Sequence, residues 1–154
     1  MSNKLPSSLS TLFIFQISSN SAQLDGINIH LVASQKDNLI DFVEAMRSFM
    51  KKSATKEYLL TISPDCFTLD IPAIFVYDAI TKATNQFDAF FVDFGHSSCY
   101  MTSKNFVKYF NKWNDLLEPV NADFYITLSA SDQGSQRYFI QPTDVQDGLQ
   151  KVRH

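Results

Sequence analysis

The chain predicts an α/β fold built on parallel strands, and three observations lead there. Short apolar runs alternate with segments of helical periodicity, the pattern of strand–helix–strand units. The helical segments are amphipathic, with apolar residues recurring every three or four positions. The run at residues 87–94 is too continuously apolar for a strand with one wet face, and suits a parallel strand covered on both.

Residues 1–21 read differently from the rest. A polar start with Lys4 leads into the apolar stretch Thr11-Leu12-Phe13-Ile14-Phe15-Gln16-Ile17, then small polar residues. That is the outline of a signal peptide, though a thin one, with one early Lys and a core broken by Gln16. The competing reading is a buried strand or helix end leading into the first strand. The expected division is therefore a weakly structured segment over 1–21 and one domain over 22–154.

A first strand lies within residues 24–32. Residues 37–52 form a helix, with Leu39, Ile40, Phe42, Val43, Met46, Phe49 and Met50 on its apolar face. Ser34 or Asp37 can cap it, and Lys51 and Lys52 suit the negative end of its dipole. Residues 58–63 are a short strand before Pro64. Residues 71–84 form a second helix with Pro72 in its first turn. The strand at 87–94 follows, then a helix over 103–117 ended by Pro119. Residues 122–128 are the fourth strand, and 143–153 a last helix weakened by Gly148.

Composition narrows the function classes. The 154 residues are 45% hydrophobic and 14% aromatic, with 14 Phe, ample for one core on the usual length prior. Only 4 Gly and 5 Pro argue against a disordered or collagen-like chain. A net charge of −3 and the lack of a basic stripe give no footprint for nucleic acid. No apolar run is long enough to span a bilayer.

The segment Leu24-Asp25-Gly26-Ile27-Asn28-Ile29-His30-Leu31-Val32 resembles an active-site strand of the class III chitinases, family 18 glycoside hydrolases. Those proteins carry Leu-Asp-Gly-(Ile/Phe)-Asp-Phe-Asp-Ile-Glu on the fourth strand of a TIM barrel. Further landmarks follow in family order. Tyr58-Leu59-Leu60-Thr61-Ile62-Ser63-Pro64-Asp65-Cys66 is similar to the strand-five segment, and the run from Phe87 to Cys99 to strand six. Trp113 stands where the family has Trp before strand seven. Phe124-Tyr125-Ile126-Thr127-Leu128-Ser129-Ala130-Ser131 and Phe139-Ile140-Gln141-Pro142-Thr143-Asp144-Val145 resemble the segments after it. The resemblance implies a partial TIM (β/α)8 barrel of about four parallel strands with helices, the family's strands four to seven.

A whole barrel needs about 250 residues. Half of one exposes two sheet edges and an apolar inner face, both prone to association. A truncated gene, a half-barrel that self-associates through its open edges, and an adapted four-stranded layer all fit the sequence.

The same resemblance argues against the family's chemistry. In the family the closing Glu protonates the glycosidic oxygen, and the preceding Asp steadies the substrate's acetamido group as it attacks, a substrate-assisted exception to the two-carboxylate rule. Here Asp25 and Gly26 remain, but the next acids are Asn28 and His30, and the proton donor is Val32. Valine donates no proton at any pH. His30 shares a strand face with position 32, yet it sits two residues from the missing acid, and misplaced groups lose catalysis steeply. The strand-six Tyr that would hold the acetamido oxygen is Gly95. The resemblance leaves Asp93, in place of a family Gln, and His96 as candidate substrate-binding residues. Among the scattered acids Asp65, Asp70, Asp88 and Asp93, only Asp93 is expected to be buried. Trp113, on a helix, is expected in the core rather than in a cleft.

Cys66 and Cys99 match two family cysteines that are disulfide-bonded to each other, which hints at an exported ancestry. A rival reading joins His30, Cys66, His96 and Cys99 as four tetrahedral zinc ligands. The main expectation carries neither metal nor cofactor. The chain is then read as a catalytically inactive chitinase-like protein that retains binding to chitin or N-acetylglucosamine oligomers. One alternative is an active chitinase completed by missing sequence or a second chain, and another a degenerate fragment without activity.

Overall fold

A computed structural model describes residues 24–30, 38–54, 56–72, 75–95, 97–129 and 139–152. The strands are β1 (Gly26–Ile29), β2 (Leu59–Ile62), β3 (Ala89–Asp93) and β4 (Asp123–Thr127). They form one parallel sheet in the order β1-β2-β3-β4. The helices are α1 (Leu39–Met50), α2 (Phe75–Lys82), α3 (Phe106–Leu117) and α4 (Pro142–Gln150). This is the predicted α/β class.

Sheet order decides where the helices go. Each strand pairs with its successor, and parallel crossovers are right-handed, so the connections all pass on one side. Ile29, Leu60, Ile62, Phe90 and Val92 point to that side and are buried, while Phe124 and Ile126 pack against them. The alternate residues Asn28, Leu59 and Tyr125 are exposed, with Thr61 and Phe91 half-buried. The sequence-based expectation that the third strand is covered on both faces is therefore corrected. Among the described residues the helices lie on one side and no layer covers the other, where Phe91 of β3 stacks on Tyr125 (centroids 5.0 Å, 14° between planes).

Aromatic rings fill the space between sheet and helices. Phe87 meets Phe90 edge-on at 5.3 Å, and Phe90 lies 6.1 Å from Trp113. Phe94 meets Phe106 edge-on at 5.3 Å, and Phe110 lies 5.3 Å from Phe124. In α3, Phe106, Tyr109, Trp113 and Leu117 are the buried residues, one stripe at helical spacing. Edge-on pairs of this kind contribute about 0.5–1.5 kcal/mol beyond their buried area.

Local details differ from the periodicity reading. Phe49 is 70% exposed, off the stripe that buries Val43 and Met50, because it falls a residue outside the i, i+7 row. The N-cap of α1 is Asn38, in the left-handed region at φ 74°, a conformation asparagine tolerates. Neither Asp37 nor Ser34 takes that place, and both lie outside the described residues. Pro72 sits in a turn after the 3₁₀ segment Thr68–Asp70 and before α2, not in its first turn. Gly148 weakens α4 in propensity, but a Cβ there would collide with the buried Met101 side chain, so glycine lets α4 approach the core. No helix among the described residues is long and apolar enough to cross a membrane.

Candidate functional site

The carboxyl ends of parallel strands are where such folds place ligands, and here those ends bring together parts of three predicted segments. Beyond β1 lies His30, which is exposed. Beyond β2 come Ser63, Pro64 and Asp65, then Cys66. Beyond β3 stand Asp93, Phe94 and Gly95, and β4 ends at Thr127. The ends are laced by main-chain bonds: Ser63 N–H donates to Ile29 O at 2.8 Å, Asp93 N–H to Pro64 O at 2.9 Å, and Phe94 N–H to Thr127 O at 3.0 Å. Pro64 has no N–H to give, and the strand path resumes past it, where Asp65 bridges Asp93.

Asn28 is tied to the neighbouring strand. Its Nδ2 donates to Ser63 Oγ at 2.9 Å, and its Oδ1 accepts from Thr61 Oγ1 at 2.9 Å. Both hydroxyls stand two residues apart on β2 and its extension, so they share its uncovered face. Ser63 Oγ can also donate to Oδ1 at 3.2 Å, so the two hydroxyls can serve a side-chain oxygen of either an amide or a carboxylate, and the amide adds one donor of its own. The position where the resemblance expects an acid carries a neutral side chain engaged by both hydroxyls. Thr61 and Ser63 went unremarked in the sequence, although their alternation with Leu60 and Ile62 already placed them on one face.

Asp25 stands at the amino end of β1, remote from the carboxyl ends, and pairs with Lys56 at 2.8 Å. Asp93 is half-buried rather than buried, because its side chain lies on the uncovered face. Its Oδ1 accepts from Gly95 N–H at 2.7 Å, a turn-like hold by a carboxylate on the backbone two residues on. Gly95 itself is buried, and a Cβ there would stand 2.7 Å from Ser129 N. The β3 and β4 ends therefore approach too closely for any side chain at 95. Val32 and His96 lie outside the described residues.

Cys66 and Cys99 are joined as a disulfide with their Cα atoms 6.2 Å apart. That removes both thiolates from the four-ligand zinc reading, and no group of three metal-ligating side chains occurs among the described residues. Trp113 is buried, and its Nε1–H donates to Cys66 O at 2.8 Å. It is a core residue, as the helix pattern indicated.

The other acids were not scattered. Asp88 accepts from Arg47 Nη2 at 2.6 Å and from Leu60 N–H at 2.7 Å. Asp70 is bridged by Lys108 at 3.0 Å and by Lys112. The Lys112 hydrogen bond, with help from Lys108, lowers the Asp70 carboxyl to about 2. These contacts join residues 28 to 42 apart in the chain, a separation that hides them from local patterns.

This arrangement matches solved barrels. The xylanase and alpha-amylase inhibitor protein of Scadoxus multiflorus superposes with a TM-score of 0.63 at 23% identity, over 82% of this chain and 44% of that one. Concanavalin B gives a TM-score of 0.65 at 23% identity, over 81% and 44%. The fold is that of part of these barrels, four parallel strands with their helices. A family 18 chitinase from Pseudoalteromonas aurantia matches with a TM-score of 0.62 at 11% identity, over 83% of this chain and 52% of that one. The chain thus spans about half the length of these chitinase-type structures. No family profile and no curated protein sequence matches it.

Proposed function

We propose that this chain is a non-hydrolysing member of the chitinase-type fold that binds N-acetylglucosamine oligomers at the carboxyl ends of its strands. The observation that carries the reading is the clamp on Asn28: the side chain standing where an acid is expected is neutral and committed to Thr61 and Ser63. Val32 removes the proton donor in sequence, and the tight approach at Gly95 leaves no room for a hydroxyl-bearing side chain. General-acid catalysis needs a protonated group within hydrogen-bond reach of the leaving oxygen. The stacked pair Phe91 and Tyr125, with Tyr125 47% exposed, supplies an aromatic surface on the same face.

Calorimetric titration with a soluble chitin oligomer, run beside an assay for released reducing ends, tests this. Weak saturable binding without release is expected. Release above the blank would favour the active enzyme, and absence of heat at millimolar oligomer would remove the binding role. A second reading, inhibition of other glycoside hydrolases, is supported by the inhibitor proteins among the structural matches. Titration of a xylanase and an α-amylase with the purified chain separates the two.

A further inference from the structure

The edges of the sheet carry an inference of a different kind. In a parallel ladder, the main-chain groups of alternate residues point to the same neighbour. Asp25 O and Ile29 O accept from Leu59 and Ser63, so those residues face β2, and the main-chain groups of Gly26 and Asn28 face outward. On β4, Asp123 N–H and Thr127 O are bonded to Asp88 and Phe94 of the β3 side. The groups of Phe124 and Ile126 therefore face away. Among the described residues β1 and β4 each have one neighbour, and unpaired edges are templates for another chain.

We infer that two copies of this chain close one eight-stranded parallel barrel, β4 of each pairing with β1 of the other. The two edges run in the same direction, so this pairing continues the parallel sense of the whole sheet. Joining β1 to its own counterpart across a two-fold axis would instead be antiparallel and would leave both β4 edges open. The β4-to-β1 contact is head-to-tail, and such contacts form rings only when the rotation closes. Here closure comes after two copies, because four strands from each make the eight at which side chains just fill a barrel interior.

The uncovered face is suited to enclosure. Leu59 and Tyr125 are 50% and 47% exposed there, and Phe91 stacks beside Tyr125. Its polar members already have partners: Asn28 with Thr61 and Ser63, and Tyr125 OH with Asp123 Oδ2 at 3.2 Å. Burying satisfied polar groups costs little compared with orphaned ones. The solved barrels enclose the corresponding face with sequence of their own, and this chain spans 44% of two of them. In the paired arrangement a second copy covers this face, and the cleft at the carboxyl ends is then lined by both copies.

The decisive experiment is sedimentation velocity on the full, non-reduced chain from about 1 to 100 μM, with the variants Asn28→Pro and Asn28→Ala. Proline at 28 deletes an outward N–H and spares the ladder to β2, a placement that edge strands tolerate; alanine keeps the N–H. The expected result is a discrete species of twice the 17.5 kDa chain mass, retained by Asn28→Ala and lost in Asn28→Pro, with the near-UV signal of Trp113 intact. A monomer throughout, an open-ended polymer, or a folded Asn28→Pro that stays dimeric overturns the inference. Should Asn28→Pro not fold, hydrogen exchange on the unmodified chain decides. Amides of Asn28 and Ile126 that are protected at high concentration and released on dilution uphold the edge pairing, and fast exchange at both concentrations overturns it. The readout is mass and amide protection, so it stands or falls apart from sugar binding.

Discussion

The indole N–H of Trp113 donates to the carbonyl of Cys66 at 2.8 Å inside the core. Cys66 follows β2 and is joined to Cys99, which follows β3. Helix α3 is thereby fastened to the segments beyond two strands at one point, close behind the carboxyl ends where a ligand would sit.

Replacing Trp113 by Phe keeps an aromatic ring against Phe90 and removes the donor to Cys66. Loss of a buried hydrogen bond together with some ring volume is expected to cost about 2–3 kcal/mol. Urea unfolding should show a lower midpoint at unchanged slope. A shift within about 0.5 kcal/mol, the range of ordinary surface changes, would mean that the bond carries no weight.

Reduction of the Cys66–Cys99 bond opens a loop of 33 residues. The chain-entropy relation gives about 3–4 kcal/mol for a loop of that size. Thermal melts with and without reductant measure it, and Cys66→Ala with Cys99→Ala should match the reduced protein. Equal melting temperatures in all three would contradict the cross-link.

The Arg47–Asp88 pair fastens α1 to the start of β3. Arg47 also donates from Nε to Gln86 O at 2.8 Å, and Asp88 accepts from the buried Leu60 N–H. Asp88→Ala leaves that amide without its acceptor and takes the counter-charge from a guanidinium only 11% exposed, which keeps its bonds to Gln86 O and Tyr58 O. Because the Asp88 carboxylate is itself 36% exposed, solvent recovers part of the loss, and about 1–3 kcal/mol is expected. Asp78→Ala, which breaks the exposed pair with Lys82, should change stability by under about 0.5 kcal/mol. Comparable losses in the two variants would refute the distinction.

Acid should weaken the Asp70 cluster. The folded carboxyl is lowered from 3.8 to about 2, chiefly by the Lys112 hydrogen bond. A depressed acid stabilises the fold above its unfolded value, and that stability is lost as pH falls through the folded value. The loss should fall between about pH 4 and pH 2, and Asp70→Asn should flatten the stability profile in that window alone. An unchanged profile would show that the lysines do not hold the carboxyl in solution.

Gly95→Ala places a methyl group against Ser129 N. Overpacking a close backbone approach costs about 1–3 kcal/mol, so the variant should melt lower than the parent. If it melts at the same temperature, the β3 and β4 ends are looser than described, and a larger side chain at 95 becomes feasible.

Much of this molecule was legible before its structure. The four strands, the helices between them and the core place of Trp113 follow from periodicity and from residue type. Of the candidate site the sequence shows residue types alone: Asn28 and Val32 where the resemblance expects acids, and Gly95 where it expects a tyrosine. That Thr61 and Ser63 hold Asn28 was out of reach, since the partners lie more than 30 residues away. The same distance hid the Arg47–Asp88 pair, while the apolar run around Asp93 led to the expectation of a buried acid where the residue is half-buried.

By itself, then, the sequence determined the parallel α/β class, because periodicity and side-chain chemistry are local properties. Tertiary structure alone decided that Phe90 faces the helices while Phe91 stacks on Tyr125, that the carboxylate held by an arginine is Asp88, and that β1 and β4 end the described sheet. Each of these depends on which strands pair and on which side the crossovers pass, and no local pattern encodes that choice.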